Sequence, residues 1–200
     1  MTRRSLYTIR PMHMSDVQSA VLIHANTIKS QGSILGDVYL TAIYQRIIRH
    51  PVRGCGMVAC TASGGIVGSI LCTTDINWFT GLSLYMAYPK LLLVVLLHLM
   101  RGSFSIASLL DHKKVQTAAE KTYCHPYLSI QAISADTKHQ GKGIGRQLVD
   151  TISAYGRTHG VRTIYVDTLK ENIGAQKFYL SVGFQPLADV ADSVMYEKKI

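Results

Sequence analysis

Hydrophobic positions along this 200-residue chain recur with two spacings, every second residue in some stretches and every third or fourth in others. The first spacing is typical of strands and the second of helices. In the N-terminal part, the turn Ser63-Gly64-Gly65 predicts a β-hairpin, and Ser15-Asp16 predicts a helix cap. The elements predicted here are a strand at 7–11, helices at 17–28 and 35–48, and strands at 57–61 and 66–73.

The C-terminal part begins with a predicted strand at 128–135, followed by a glycine-rich stretch at 140–145. Helical spacing then continues to Gly160, a residue type that often ends helices. A strand at 163–168, another helix and two strands complete the chain. The order β-α-α-β-β, an insert, then β-α-β-α-β-β predicts a mixed α/β fold. Because 200 residues can bury one substantial core, we expect a single domain.

Composition and charge narrow the class of protein. The chain is 48% hydrophobic and 16% charged, as globular proteins are, and no signal or transit pattern follows Met1, so we expect a cytoplasmic protein. Its four cysteines lack the spacing of a zinc site or a disulfide framework, and no metal site is predicted. The net charge is +9, but the basic residues are dispersed, which argues against a nucleic-acid partner. A ligand carrying phosphates accounts for part of this charge.

The stretch Gln140-Gly141-Lys142-Gly143-Ile144-Gly145 carries the clearest chemical signal in the chain. Its glycines lack a Cβ and allow close approach of the backbone to a ligand, and Lys142 and Arg146 add positive charge. It lies between a predicted strand and a predicted helix, whose first amides have no partner inside the helix and favour anions. The pattern predicts a pyrophosphate site, although a plain strand-to-helix connection also uses such glycines.

Two other nucleotide-binding motifs do not fit this stretch. The Walker loop needs Lys and then Ser or Thr after its last glycine, but Arg146 and Gln147 follow Gly145. The dinucleotide-binding fingerprint needs Gly-x-Gly-x-x-Gly early in its unit, whereas this turn comes late in the chain. Both interpretations are therefore set aside.

Two motifs instead resemble those of the GNAT superfamily of N-acetyltransferases. The stretch 140–145 is similar to the Gln/Arg-x-x-Gly-x-Gly/Ala pyrophosphate loop of that family. The second motif, Asn172-x-x-Ala175-x-x-Phe178-Tyr179-x-x-x-Gly183-Phe184, is similar to the family's segment after the next strand. Residues 128–184 thus resemble the acetyl-coenzyme A binding half of a GNAT domain, and Ile9-Arg10-Pro11 resembles its common opening.

The resemblance implies one GNAT-type domain over residues 1–200, with acetyl-coenzyme A as cofactor. Its N-terminal half would be 1–74, a helical insert 75–126, and its cofactor-binding half 127–200. The implied architecture is a central, mostly antiparallel, twisted sheet that is splayed at the cofactor site and flanked by helices.

The resemblance also assigns roles to residues. A backbone amide near Ile133 to Ala135 would bind the thioester carbonyl, and Tyr179 would be the general acid. The implied cofactor-binding residues are Ile133, Ser134, Ala135, Gln140, Gly141, Lys142, Gly143, Ile144, Gly145, Arg146, Asn172, Ala175 and Phe178.

Other uses of these residues stay open. Tyr179 could simply pack beside Phe178 and Phe184, as tyrosines on helices often do. Asn172 could cap the helix that follows it, with or without a cofactor contact. The Lys142 side chain could lie in solvent while only its amide binds phosphate.

The proton acceptor is less well determined, because the strand 128–135 carries Ser129 and Gln131 but no carboxylate. His125, Asp75, Asp167 or a chain of waters could serve. His125 is the predicted catalytic base, since an ordinary histidine pKa of about 6.5 suits that task. A solvated loop histidine is the alternative.

The insert 75–126 is unusually apolar. Its run at 91–100 is about ten residues long, half of the roughly twenty that a membrane-spanning helix needs. It could form a lid over the acceptor pocket, a homodimer surface, or a peripheral membrane contact through 82–100. Such inserts resemble those of GNAT proteins linked to surface polysaccharide or glycan assembly.

The sequence therefore predicts an N-acetyltransferase that moves an acetyl group from acetyl-coenzyme A directly to a small-molecule amine, with an amino sugar as first choice. Other acceptors in this class are a protein N-terminus, a lysine or an amino acid. A GNAT-fold module that holds coenzyme A without turning it over is the alternative from another class.

Overall fold

The fold is described from a computed structural model. It describes residues 6–27, 36–80, 84, 88, 90–91, 93, 97, 117–119 and 121–200. Most of the insert 75–126, including seven of the ten residues of the apolar run at 91–100, lies outside the described residues. In the part that is described, no helix is both long and apolar enough to cross a membrane.

The described helices and strands follow the predicted order. The strands are β1 Thr8–Pro11, β2 Gly54–Cys60, β3 Ile66–Thr73, β4 Tyr127–Ala135, β5 Thr163–Leu169, β6 Gln185–Val190 and β7 Ser193–Lys199. The helices are α1 Val17–Thr27, α2 Gly36–Arg49, α3 Ile76–Thr80, α4 Ile144–Thr158 and α5 Ile173–Ser181. Short 3-10 turns occur at Met14–Asp16 and Thr137–His139.

The strands form one seven-stranded sheet in the order β1-β2-β3-β4-β5-β7-β6. Pairs β1/β2, β5/β7 and β6/β7 are antiparallel, and β4/β5 is parallel. The β4/β5 pairing runs from Tyr127 opposite Thr163 to Ile130 opposite Val166, and both strands continue beyond it. The predicted fold class, mixed α/β with a mostly antiparallel sheet, is confirmed.

The chain divides into two compact units. The first is Met1–Cys72 with Gln131–Ile152, and the second is Thr73–Ile130 with Ser153–Ile200. The division of the chain into an N-terminal half, an insert and a cofactor-binding half within one domain stays a prediction.

The first unit has its core where the helical spacing places it. On α2, the predicted apolar face of Leu40, Ile43, Tyr44 and Ile47 is buried. On α4, Ile144, Leu148, Val149 and Ile152 are buried as well. These residues recur every three or four positions, so each helix presents one continuous apolar stripe to the interior.

Asp16, part of the helix cap predicted at Ser15-Asp16, lies in the 3-10 turn Met14–Asp16 that precedes α1. Asp16 accepts a hydrogen bond from the His13 amide at 2.7 Å and pairs with the Arg10 guanidinium at 2.6 and 2.9 Å. It therefore closes the 3-10 turn that precedes α1 and ties that turn to β1. The hydrogen bond from Arg10 is the main reason that the pKa of Asp16 is lowered.

The second unit has a tyrosine-rich core. The Tyr123 ring stacks on Tyr165, with centroids 4.0 Å apart, and Tyr127 meets both rings edge-on. Ile76, Ala119 and Met195 complete the cluster. Tyr127 and Tyr165 share a face of the sheet because side chains alternate along strands.

Candidate functional site

The glycine stretch lies in the first unit, where it connects the 3-10 turn after β4 to α4. Gly141 and Gly143 have φ angles of +74° and +81°, in the left-handed region that residues with a Cβ rarely adopt. A Cβ at either position would meet no atom within 4 Å. The backbone conformation therefore favours glycine at both positions, and the space beside the loop is open to a ligand.

The backbone amides of this loop form a set of unused donors. The first hydrogen bond of α4 is donated by the Gln147 amide to the Gly143 carbonyl oxygen, at 3.0 Å. Among the described residues, none accepts a hydrogen bond from the amides of Gly141–Gly145. Unpaired donors at a helix start, together with the helix dipole, attract an anion. The predicted anion site thus has the necessary geometry, and the Lys142 and Arg146 side chains are exposed beside it.

A glycine on the neighbouring strand β3 brings α4 close to the end of β4. A Cβ on Gly68 would lie 2.8 Å from Ile144 Cγ2 and 2.9 Å from the Ser134 carbonyl oxygen. Both distances are shorter than real Cβ contacts, so this close approach requires glycine. Sequence reasoning missed Gly68, because nothing in the local pattern of β3 distinguishes it.

Two hydrogen bonds hold the loop to the sheet. Gln140 Nε2 donates to the Ala135 carbonyl at 3.3 Å, and the Asp136 amide donates to the Val67 carbonyl at 2.9 Å. Gln140, which the motif placed at the pyrophosphate, therefore uses its side chain to join the loop to the last residue of β4.

The predicted carbonyl-binding residues form the end of β4. Ile133 and Ala135 are half-buried, while Ser134 between them is buried with its hydroxyl 3.1 Å from Ser69 Oγ. The Ser134 side chain therefore has a partner in the interior.

That hydroxyl is the end of a buried polar chain, which we call the hydroxyl chain: His24, Tyr44, Ser69 and Ser134. His24 Nδ1 lies 3.1 Å from Tyr44 Oη, which lies 3.3 Å from Ser69 Oγ. Burial lowers the pKa of His24 to about 4 and raises that of Tyr44 to about 12. Both side chains are therefore neutral near pH 7.

The residues of the second motif lie in the second unit, on and before α5. Asn172 caps this helix, because its Oδ1 accepts a hydrogen bond from the Ala175 amide at 3.0 Å. Tyr179 is buried, with its ring centroid 5.4 Å from Phe178, 5.6 Å from Phe184 and 6.0 Å from Tyr196. The capping and packing uses that the sequence left open are thus both present.

The three side chains considered as proton acceptor have different surroundings. His125 is exposed, and its ring lies 4.6 Å from Tyr127. Asp75 caps α3 by accepting a hydrogen bond from the Trp78 amide at 2.8 Å. Asp167 is half-buried on β5, one residue past the last β4/β5 pair.

A buried phenol accompanies Asp167. Burial, and then the negative charge of Asp167, raise the pKa of Tyr123. The nearby Ser129 hydroxyl lowers the pKa of Tyr123. Among the described residues, however, none lies in hydrogen-bond geometry with Tyr123 Oη. A buried hydroxyl without a partner calls for an explanation, since most are satisfied. Sequence reasoning did not select Tyr123, which lies outside both motifs.

Comparison with known proteins agrees with these features. Residues 104–184 match the acetyltransferase (GNAT) family model, and this segment contains both motifs. The fold is similar to that of a PaiA N-acetyltransferase from Thermoplasma acidophilum, solved in complex with coenzyme A, with a TM-score of 0.65 at 12% identity. That alignment covers 97% of this chain and 99% of that protein. The chain thus has a GNAT-type fold and a matching family segment.

Two further proteins show the breadth of the likeness. The ribosomal-protein-S18-alanine N-acetyltransferase of Escherichia coli has a TM-score of 0.60 at 14% identity, over 97% of this chain and 94% of that one. An uncharacterized N-acetyltransferase of Bacillus subtilis, YobR, is 27% identical over 63 residues, which are 32% of this chain. The aligned stretch spans 26% of the length of YobR.

Proposed function

We propose that this protein is an acetyl-coenzyme A-dependent N-acetyltransferase that transfers the acetyl group directly to a primary amine in a ternary complex. The observation that carries the proposal is the set of unpaired amides at Gly141–Gly145, on a loop whose glycines adopt left-handed conformations. The family match over residues 104–184 and the fold both support it.

In this proposal the pyrophosphate of coenzyme A binds the amides of the glycine loop, with Lys142 and Arg146 adding positive charge. A backbone amide among Ile133–Ala135 binds the thioester carbonyl. Asn172, Ala175 and Phe178 contact the cofactor arm, and Asn172 does so in addition to capping α5.

The reaction requires a neutral amine, which attacks the thioester carbon and forms a tetrahedral intermediate. The β4 amide stabilises the negative oxygen of that intermediate. When the carbon–sulfur bond breaks, the electron pair leaves with the sulfur and Tyr179 donates a proton to it. The amine nitrogen loses one proton, so the products are an acetamide and free coenzyme A.

We propose Asp167 as acceptor of that amine proton, with His125 as the competing candidate. His125 lies two residues before β4 begins, whereas the proposed carbonyl-binding residues Ile133–Ala135 lie at the other end of that strand. Asp167 instead follows the β4/β5 pairing and acts electrostatically on the unpartnered Tyr123 phenol. Asp75 already serves as a helix cap.

For the acceptor we propose a small-molecule amine, with an amino sugar as first choice. The support is the apolar insert, whose composition resembles that of GNAT proteins of glycan assembly. The alternative is a protein N-terminus, which the likeness to the S18-alanine enzyme favours. The lid, dimer and lipid-contact uses of residues 82–100 stay predictions, since that segment lies largely outside the described residues.

The test is thiol release from acetyl-coenzyme A with a panel of amines, in which mass spectrometry detects the acetylated product. Tyr179→Phe removes the proposed acid, and Tyr196→Phe is the matched control from the same ring cluster. We expect Tyr179→Phe to lower kcat by about 10²-fold, as loss of a general acid does, while Tyr196→Phe stays near wild type. Equal turnover of the two variants removes Tyr179 from the mechanism.

The same assay separates the enzyme from a binding module. A module that only holds coenzyme A would show binding in calorimetry, but no amine in the panel would accelerate thiol release. An enzyme would show both. Absence of coenzyme A binding would refute both proposals.

A further inference from the structure

The hydroxyl chain crosses the first unit from its helices to the proposed carbonyl-binding strand. His24 lies on α1, Tyr44 on α2, Ser69 on β3 and Ser134 on β4. Their exposed fractions are 4%, 0%, 0% and 5%, and the three links measure 3.1, 3.3 and 3.1 Å. Four elements that are distant in the sequence are thus joined by side-chain hydrogen bonds in the interior.

Such a chain allows little freedom of geometry. A buried polar group without a partner costs about 1–3 kcal/mol, so each member must keep its neighbour within hydrogen-bond reach. Tyr44 and Ser69 each make two of the three hydrogen bonds, donating one and accepting the other, while Ser134 and the neutral His24 ring form the two ends of the chain. A shift of any one element would leave at least one hydroxyl unsatisfied.

The hydroxyl chain ends at Ser134, one of the three residues whose backbone amides are proposed to bind the thioester carbonyl. Side chains alternate along a strand, so the Ser134 hydroxyl faces the interior while Ile133 and Ala135 face the other side. Gly68 lets β3 approach the Ser134 carbonyl, and the Asp136 amide bonds to Val67 one step further on. The end of β4 is therefore fixed against β3 by both main-chain and side-chain contacts.

We propose that the hydroxyl chain is a positioning device that sets the orientation of the β4 amides toward the acetyl thioester. Ser134, Ser69 and Tyr44 are its positioning residues. The inference rests on the proposed function, because it gives these residues a role only if the β4 end binds the thioester carbonyl. Misplacement of a reacting group by 1 Å can cost about 10²-fold in rate, so a small reorientation suffices.

The test compares Ser134→Ala, Tyr44→Phe and their combination with wild type. Ser153→Ala is the matched control, a buried serine outside the chain. Each protein is measured for kcat with acetyl-coenzyme A, for the Kd of coenzyme A, which lacks the acetyl carbonyl, and for Tm. The Kd of coenzyme A therefore reports on the phosphate site alone, and changes at the carbonyl-binding strand do not enter it.

We expect each chain variant to lower kcat by about tenfold or more, with the Kd of coenzyme A within about twofold of wild type. The double variant should fall no further than the single ones, because breaking one link already frees the strand end. The control should keep its kcat.

A merely structural role predicts a different result. If kcat falls only together with the Kd and Tm, or if the two substitutions act additively, the positioning inference is wrong. Unchanged kcat in Ser134→Ala overturns it as well. These failures leave wild-type turnover intact, whereas a wild-type protein that releases no thiol with any amine refutes the acetyltransferase proposal itself.

Discussion

A negative charge at Gly143 tests the glycine loop most directly. The proposed substitution is Gly143→Asp, and Gly143→Asn is its control, since the two side chains have the same shape. Both must adopt a φ angle of +81°, and neither Cβ would meet a protein atom within 4 Å. Asn and Asp tolerate the left-handed region about equally, so the backbone strain cancels when the variants are compared. The difference in coenzyme A affinity between the two variants therefore reports the effect of the negative charge alone.

The magnitude follows from Coulomb's law. A carboxylate about 6 Å from one phosphate charge, in a water-like dielectric, costs about 0.7 kcal/mol. Two pyrophosphate charges raise that to about 1.4 kcal/mol, a factor of about ten in Kd. Gly143→Asp should therefore bind coenzyme A about tenfold more weakly than Gly143→Asn at low salt, and both more weakly than wild type.

Isothermal titration calorimetry with coenzyme A at two salt concentrations measures this difference. The Debye length falls from about 10 Å at 0.1 M to about 3 Å at 1 M, so the Asp–Asn gap should shrink at high salt. Equal affinities of the two variants at low salt would mean that no phosphate lies beside this loop. The placement of the pyrophosphate would then be wrong.

Three further predictions concern stability and proton transfer. The pKa of His24 is lowered to about 4 in the folded protein, so stability should fall as the pH decreases from 6.5 to 4, by up to about 3 kcal/mol. Urea unfolding across that range checks this, and a His24→Asn variant with the same pH slope would contradict it. Gly68→Ala should lower the free energy of unfolding by about 1–3 kcal/mol through overpacking, and with it Tm. The control is Gly65→Ala in the hairpin turn, which should leave Tm unchanged because its Cβ would lie 3.4 Å from Thr61 Oγ1, an ordinary contact distance. Equal Tm values of the two variants would refute the close approach at Gly68. Asp167→Asn should lower kcat by about 10²-fold while His125→Gln keeps it, and the reverse result would assign the base to His125.

The sequence alone determined the order of the elements and the position of the glycine loop between a strand and a helix. Both depend on local physics: the spacing of apolar residues selects strand or helix, and glycines without a Cβ mark the turn between them. The helix stop predicted at Gly160 is also local, because Gly160, with a φ of +74°, lies two residues past Thr158, the last residue of α4. The capping role of Asn172, one of two uses that the sequence left open, is also local.

Only the tertiary structure decided which distant residues meet. His24, Tyr44, Ser69 and Ser134 are separated by 20, 25 and 65 positions in turn, and no spacing rule relates them. Gly68 became significant only when Ile144 and the Ser134 carbonyl were found beside it. Tyr123 was one of eleven tyrosines until its hydroxyl proved to be buried without a partner. Contacts of this kind depend on how strands and helices pack, and packing is a property of the folded chain and not of any window of its sequence.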